Sequence, residues 1–185
     1  MFYYFYFWFE IHFCVKYKQM EFIKRYIPKQ LSLQDKLRQK RELNKSRRLY
    51  RSSSSKNRYY TRKKLKSFHS KPSNHVTNAK KIYGVEKIGA TPELAKKSGC
   101  SVGTLRKIIQ KGQGAYFSSG SRPNQTGQSW GVARLASSLT SGKAAAVDYS
   151  ILEKGCSKNS RALRLAKKAV KKHGHGTRKV AKVRV

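Results

Sequence analysis

The sequence predicts a mainly α protein: a small helical domain containing a helix-turn-helix-like hairpin, with an extended basic N-terminal arm and a C-terminal tail. Three stretches predict it. In Thr91–Lys111, TPELAKKSGCSVGTLRKIIQK, Thr91 suits an N-cap, Pro92 the first helical position and Glu93 the positive end of the helix dipole. Ser98-Gly99 breaks the run, and Ser101 caps a second helix whose Val102, Leu105, Ile108 and Ile109 lie close to one apolar stripe. Two short helices about a Gly-containing turn form the helix-turn-helix pattern. Ser160–Lys172, SRALRLAKKAVKK, predicts a second strong helix, with Ala162, Leu165, Ala166 and Ala169 on its apolar face. Ser32–Tyr50 predicts a third, opened by Ser32 and Asp35 as a variant capping box.

Charge narrows the function. The 185 residues hold 43 Lys+Arg against 8 Asp+Glu, a formal charge of +35. An excess of that size speaks of partners and solubility rather than fold. The partner must be polyanionic: nucleic acid, an anionic membrane face or an acidic protein surface. Nucleic acid comes first, because counterion release from phosphates is a strong, sequence-independent driving force. Cys14, Cys100 and Cys156 are widely spaced and odd in number, with no CxxC pair and no zinc-like Cys/His spacing. Cys100 reads as a core plug, the setting as reducing, and no disulfide is expected.

The chain divides as follows. Residues 1–19 form an aromatic extension; Met1–Val15 falls short of the ~20 apolar residues of a spanning helix and lacks the n-region of a signal peptide. It reads as an interfacial segment, an anchor for a neighbouring protein, or upstream sequence with Met20 as the working start; the last is preferred, because MEFIKRYIPKQLS resembles an ordinary beginning. Residues 20–75 form a basic helical or extended arm. Its helix carries Leu33, Leu37, Leu43 and Tyr50 as a thin apolar stripe, expected to dock on a partner or to fray. After the Ser52–Ser55 break, Arg58–His75 interleaves cations with Tyr59, Tyr60 and Phe68, which suits a phosphate-tracking groove with stacking rings or an arm pinned to a protein surface. The compact domain spans residues 76–172 and the basic tail 173–185. Within the domain, Asn78–Tyr83 predicts a short helix, GQGAYFSSGSRPNQTGQS after Lys111 a long loop, Trp130–Leu139 a helix with Trp130, Ala133 and Leu135 near one face, and Val147–Glu153 a short helix.

Little points to catalysis. Gly112, Gly114 and Gly120 with Arg122 invite a phosphate-cradle reading, but no GxxxxGK[ST] occurs and a rigid structural loop is preferred. Among the acids, Glu93 belongs to its helix start, Glu153 sits beside Lys154, and Asp148 is expected to pair with Arg134 or Arg122. No histidine falls among core positions, so general acid–base work has no obvious player. No metal, cofactor or catalytic residue is expected.

KKIYGVEKIGATPELAKKSGCS followed by KGQGAYFSSGSRPNQTGQSWGVARLASSLTSGKAAAVD resembles a domain family of small basic proteins from large double-stranded DNA viruses, with distant relatives in phages. The likeness is most specific in GAYFSSGSRPNQ and SWGVARL, spans roughly residues 80–156, and takes in RYYTRKKLKSF more loosely. It implies a viral, particle-associated protein and transfers no catalytic residues.

The reading is therefore a non-enzymatic minor capsid or virion protein. Its expected partners are capsid or other virion proteins, nucleic acid bound without sequence preference (DNA first), and an anionic inner membrane; its setting is the virion, and the host cytoplasm during assembly. The alternative is a helix-turn-helix DNA-binding or genome-condensing protein, with Gly103, Thr104, Arg106 and Lys107 facing bases or phosphates. The candidate nucleic-acid contacts are Arg58, Arg62, Lys63, Lys64, Lys66, Thr104, Arg106, Lys107, Lys111 and Arg122.

Overall fold

The computed structural model describes residues 21–52, 58–176 and 182–184. The aromatic segment Met1–Val15, most of the Ser52–Ser55 break and part of the tail lie outside the described residues. In chain order the elements are β1 (Glu21–Ile23), a 3-10 turn (Lys24–Tyr26), α1 (Leu33–Arg51), α2 (Asn74–Tyr83), α3 (Pro92–Ser98), α4 (Val102–Ser118), α5 (Gly127–Leu139), α6 (Lys143–Val147), α7 (Tyr149–Gly155), α8 (Arg161–His173) and β2 (Lys182–Arg184). The protein is mainly α.

Local chemistry starts the helices where the sequence places caps. Thr91, Ser101 and Ser160 each accept a hydrogen bond from the backbone N–H three residues on, at Leu94, Thr104 and Leu163. Ser32 does the same for Asp35, but the Asp35 carboxylate does not turn back to close a capping box. It accepts instead from the N–H and hydroxyl of Ser67 at 2.9 and 2.6 Å, while the Ser67 hydroxyl accepts from the Ser32 N–H at 3.2 Å. A residue 32 positions away thus completes the cap and ties the chain after Arg58 to the start of α1.

α4 is the central helix. It buries Leu105, Ile108, Ile109 and Tyr116 and packs most extensively on α5, whose Leu135 and Leu139 meet it in the core. Each such aliphatic side chain contributes about 1.5–3 kcal/mol by leaving water. The long loop expected after Lys111 is cut to residues 119–126: α4 runs on to Ser118, and Gly112 and Gly114 are helical. Gly112 is small because α5 crosses there, with a Cβ at 112 falling 2.7 Å from the Gly131 Cα. The α5 face is likewise corrected. Gly131, Leu135, Ser138 and Leu139 are buried, while Trp130 and Ala133 are only half-buried. On α8 the buried leucine is Leu163 rather than Leu165, beside Ala162, Ala166 and Ala169.

The α1 stripe is also rearranged. Leu33 and Leu37 are exposed, and Leu43 is buried with Gln39 and Ser46, which point the same way at helical spacing. The Gln39 amide donates to the Tyr26 and Ser121 carbonyls, and the Ser46 hydroxyl to the Phe117 carbonyl at 3.1 Å. A thin apolar stripe therefore docks by polar keys, onto this chain's own α4 and the turn that follows it. Phe22, Tyr26, Ile27 and Leu43 form a second small core, with Ile23, Trp130 and Val183 packed against it. Val183 arrives there because the end of the expected tail returns as β2, antiparallel to β1, with Phe22 opposite Val183.

Cys100 and Cys156 form a disulfide, contrary to the expectation of free thiols. Their spacing in sequence, 56 residues, hides the pairing; the fold brings the α3–α4 turn and the α7–α8 turn together. Backbone bonds flank the bridge, Ser101 N–H to the Gly155 carbonyl at 2.9 Å and Ser157 N–H to the Gly99 carbonyl at 2.8 Å. The turn itself needs Gly99, which sits at φ +70° with Ser160 where a Cβ would go. The starts of α4 and α8 are thereby held side by side.

Candidate nucleic-acid interface

Three of the eight acids of this chain, Asp35, Glu42 and Asp148, are spent on internal work. Asp148, fully buried, accepts two hydrogen bonds from the Arg134 guanidinium at 2.8 and 2.7 Å and a third from the Ser138 hydroxyl at 3.1 Å. Lys111 closes on it from the surface at 2.8 Å. Burial alone would raise the Asp148 pKa; the hydrogen bonds and charges of Arg134 and Lys111 outweigh it and hold the carboxyl below its usual range. Glu42 accepts from the Tyr60 hydroxyl at 2.8 Å and the Lys63 N–H at 3.0 Å, and Asp35 is held by Ser67. With these carboxylates engaged, several exposed cations take part in no ion pair among the described residues.

One row of such cations lies on α8. Its buried face is Ala162, Leu163, Ala166 and Ala169, small side chains that seat the helix close to α5, α6 and α7. The opposite face exposes Arg161, Arg164, Lys167, Lys168 and Lys171, and α8 contains no acid. The Arg161 guanidinium donates to the Ile82 carbonyl at 2.9 Å, capping the end of α2. Arg164, Lys167, Lys168 and Lys171 take part in no ion pair among the described residues. Repulsion along this ridge is relieved when phosphates replace its counterions.

The positions singled out in the sequence divide into two groups. Arg58, Lys63, Lys64, Lys66, Arg106, Lys107 and Arg122 are exposed. Arg62 and Thr104 are not, and their expected phosphate contacts are corrected to structural ones. The Arg62 guanidinium lies 3.7 Å from the centroid of the Tyr116 ring and donates to the Ser46 hydroxyl, the Tyr116 carbonyl and the Ser121 hydroxyl at 3.0, 3.0 and 2.7 Å. The Tyr116 hydroxyl accepts from the Arg62 N–H, so residue 62 rivets its segment to α4. The Thr104 hydroxyl donates to the Gly155 carbonyl at 3.2 Å, bracing the disulfide-linked turns. Lys111 is half committed to Asp148.

Other features of the sequence resolve similarly. Asp148 takes Arg134, one of its two expected partners, while Arg122 stays at the surface. Asn124, at φ +58°, accepts from the Leu65 N–H and donates to the Leu65 and Phe68 carbonyls, holding the segment after Arg62 against the turn before α5. Among the described residues no group of three or more His, Cys, Asp or Glu stands where it could hold a metal ion, and no helix is long and apolar enough to cross a membrane.

Residues 23–164 match a protein family of unknown function (DUF5824). The chain belongs to that family. No curated protein and no solved structure matches it.

The DUF5824 match begins in β1 and takes in α1 and the segment after Arg58, which agrees with their hydrogen bonding to α4 and the following turn. It ends at Arg164, so Lys167, Lys168 and Lys171 lie beyond it. The α8 ridge was missed as a site because its helical periodicity explained it fully as a core-packing helix. The signal that would have found it is the absence of any Asp or Glu after Glu153.

Proposed function

We propose that this is a non-enzymatic nucleic-acid-binding structural protein. The carrying observation is the α8 ridge, where Arg164, Lys167, Lys168 and Lys171 are exposed on an acid-free helix. Phosphate binding there needs no base contact, so it is insensitive to sequence. A membrane-lying helix presents an apolar face to lipid, whereas the apolar face of α8 is buried in the domain. The likeness to small basic proteins of large DNA viruses supports a setting in the virion, as a minor capsid or particle protein that holds nucleic acid and, through its folded body, neighbouring capsid proteins. The deciding experiment is binding of the full chain to unrelated duplexes over a salt series. The proposal expects equal affinities that fall steeply with salt.

A second reading, a helix-turn-helix regulator, is favoured by one observation: α4 exposes Gly103, Arg106, Lys107 and Gln110 just after the α3–α4 turn. It expects one duplex sequence to be preferred over the others by about 4 kcal/mol or more.

A further inference from the structure

Where α1 ends, three aromatic rings gather. Tyr50 and Phe117 lie nearly parallel, 10° between planes with centroids 6.3 Å apart. Tyr59 stands edge-on to both, 5.3 Å from Phe117 and 6.5 Å from Tyr50. Structural tyrosines hide their rings, yet Tyr59 is 67% exposed while Tyr50 and Phe117 behind it are half-buried. The Arg58 guanidinium lies 5.1 Å from the Tyr50 ring centroid, and Arg51, the last residue of α1, is exposed nearby in sequence. Among the described residues no carboxylate takes part in the cluster: Glu42, the nearer of the two acids of α1 in sequence, is held by Tyr60 and Lys63.

We infer that Tyr59, backed by Phe117 and Tyr50 and flanked by Arg58, is a stacking platform for the unpaired bases of single-stranded nucleic acid. The inference rests on the nucleic-acid reading and deepens it, because it adds a base-dependent contact to the phosphate-dependent one on α8. A ring held by two others has already lost much of the freedom that stacking would cost it. An adjacent guanidinium supplies the phosphate contact that single-strand grooves pair with aromatic stacking. A duplex hides the faces of its bases within the stack, so only unpaired bases can use the platform.

The test is fluorescence anisotropy with the full chain at fixed low salt, using an oligothymidylate of about 20 nucleotides and an abasic strand with the same number of phosphates. The expected result is binding of the base-bearing strand about 5- to 150-fold tighter, the range that stacking of one base supplies. Tyr59→Ala should bring that ratio towards one and leave abasic binding unchanged, and Tyr59→Phe should keep it. A wild-type ratio of one, or a ratio indifferent to Tyr59→Ala, overturns the platform while leaving the phosphate reading intact. If neither strand nor duplex binds, both fall together.

Discussion

Gly112 of α4 and Gly131 of α5 meet backbone to backbone: a Cβ on Gly112 would lie 2.7 Å from the Gly131 Cα, and one on Gly131 2.8 Å from the Ile109 carbonyl oxygen. Two glycines therefore set how closely the central helices approach. Gly114, two residues along, has only the Tyr50 hydroxyl within reach, at an ordinary 3.6 Å. The two positions should respond with opposite sign. Gly112→Ala should destabilise by about 1–3 kcal/mol through overpacking, and Gly114→Ala should stabilise by about 0.5–1 kcal/mol through helix propensity. Urea unfolding of both variants checks this.

The Cys100–Cys156 bond closes a long loop, and loop-closure entropy at a separation of 56 residues amounts to about 4 kcal/mol. Urea midpoints with and without reductant should differ accordingly. The Cys100→Ser, Cys156→Ser double variant should match the reduced protein and be insensitive to reductant.

Asp148 makes a pH-dependent contribution. Its folded pKa is lowered, so its stabilisation is present above the ordinary carboxylate pKa of about 4 and is lost as pH falls through the depressed folded value. Asp148→Asn leaves the half-buried Arg134 without its counter-charge and should cost about 1–3 kcal/mol at neutral pH. The variant should also show a flatter stability profile on acidification, measured by chemical denaturation from pH 6 to about pH 2.

Arg62 is a cation used as a rivet. Arg62→Lys keeps the charge but cannot reproduce three donated bonds and the guanidinium's place over the Tyr116 ring, so it should cost about 1–3 kcal/mol of stability. The salt dependence of duplex binding should stay as in the wild type, because a buried guanidinium releases no counterion.

Helix existence was legible wherever a cap and an apolar period coincided, as at Thr91, Ser101 and Ser160. Glycine misled the reading at residue 112, because composition does not distinguish a glycine that ends a helix from one that lets another helix cross it. The docking of α1 was hidden because Gln39, Ser46 and Arg62 do core work that a hydrophobic pattern does not register. Pairings such as Cys100 with Cys156 and Asp35 with Ser67 depend on the path of the chain between them, which no local signal carries. For the candidate site, net charge pointed to a class of partner, but only burial separated the exposed Arg58, Arg106 and Lys107 from the internal Arg62 and Thr104.

The central claim is that α8 grips phosphate. The direct test compares the wild type with a variant carrying Arg164→Gln, Lys167→Gln, Lys168→Gln and Lys171→Gln, measuring duplex affinity against salt. All four side chains are exposed, so the variant should remain folded with stability close to that of the wild type. The slope of log affinity against log salt should become shallower by up to about 3.6, roughly 0.9 for each phosphate that the helix no longer neutralises. An unchanged slope, or a wild type that ignores duplex DNA at low salt, would contradict the account.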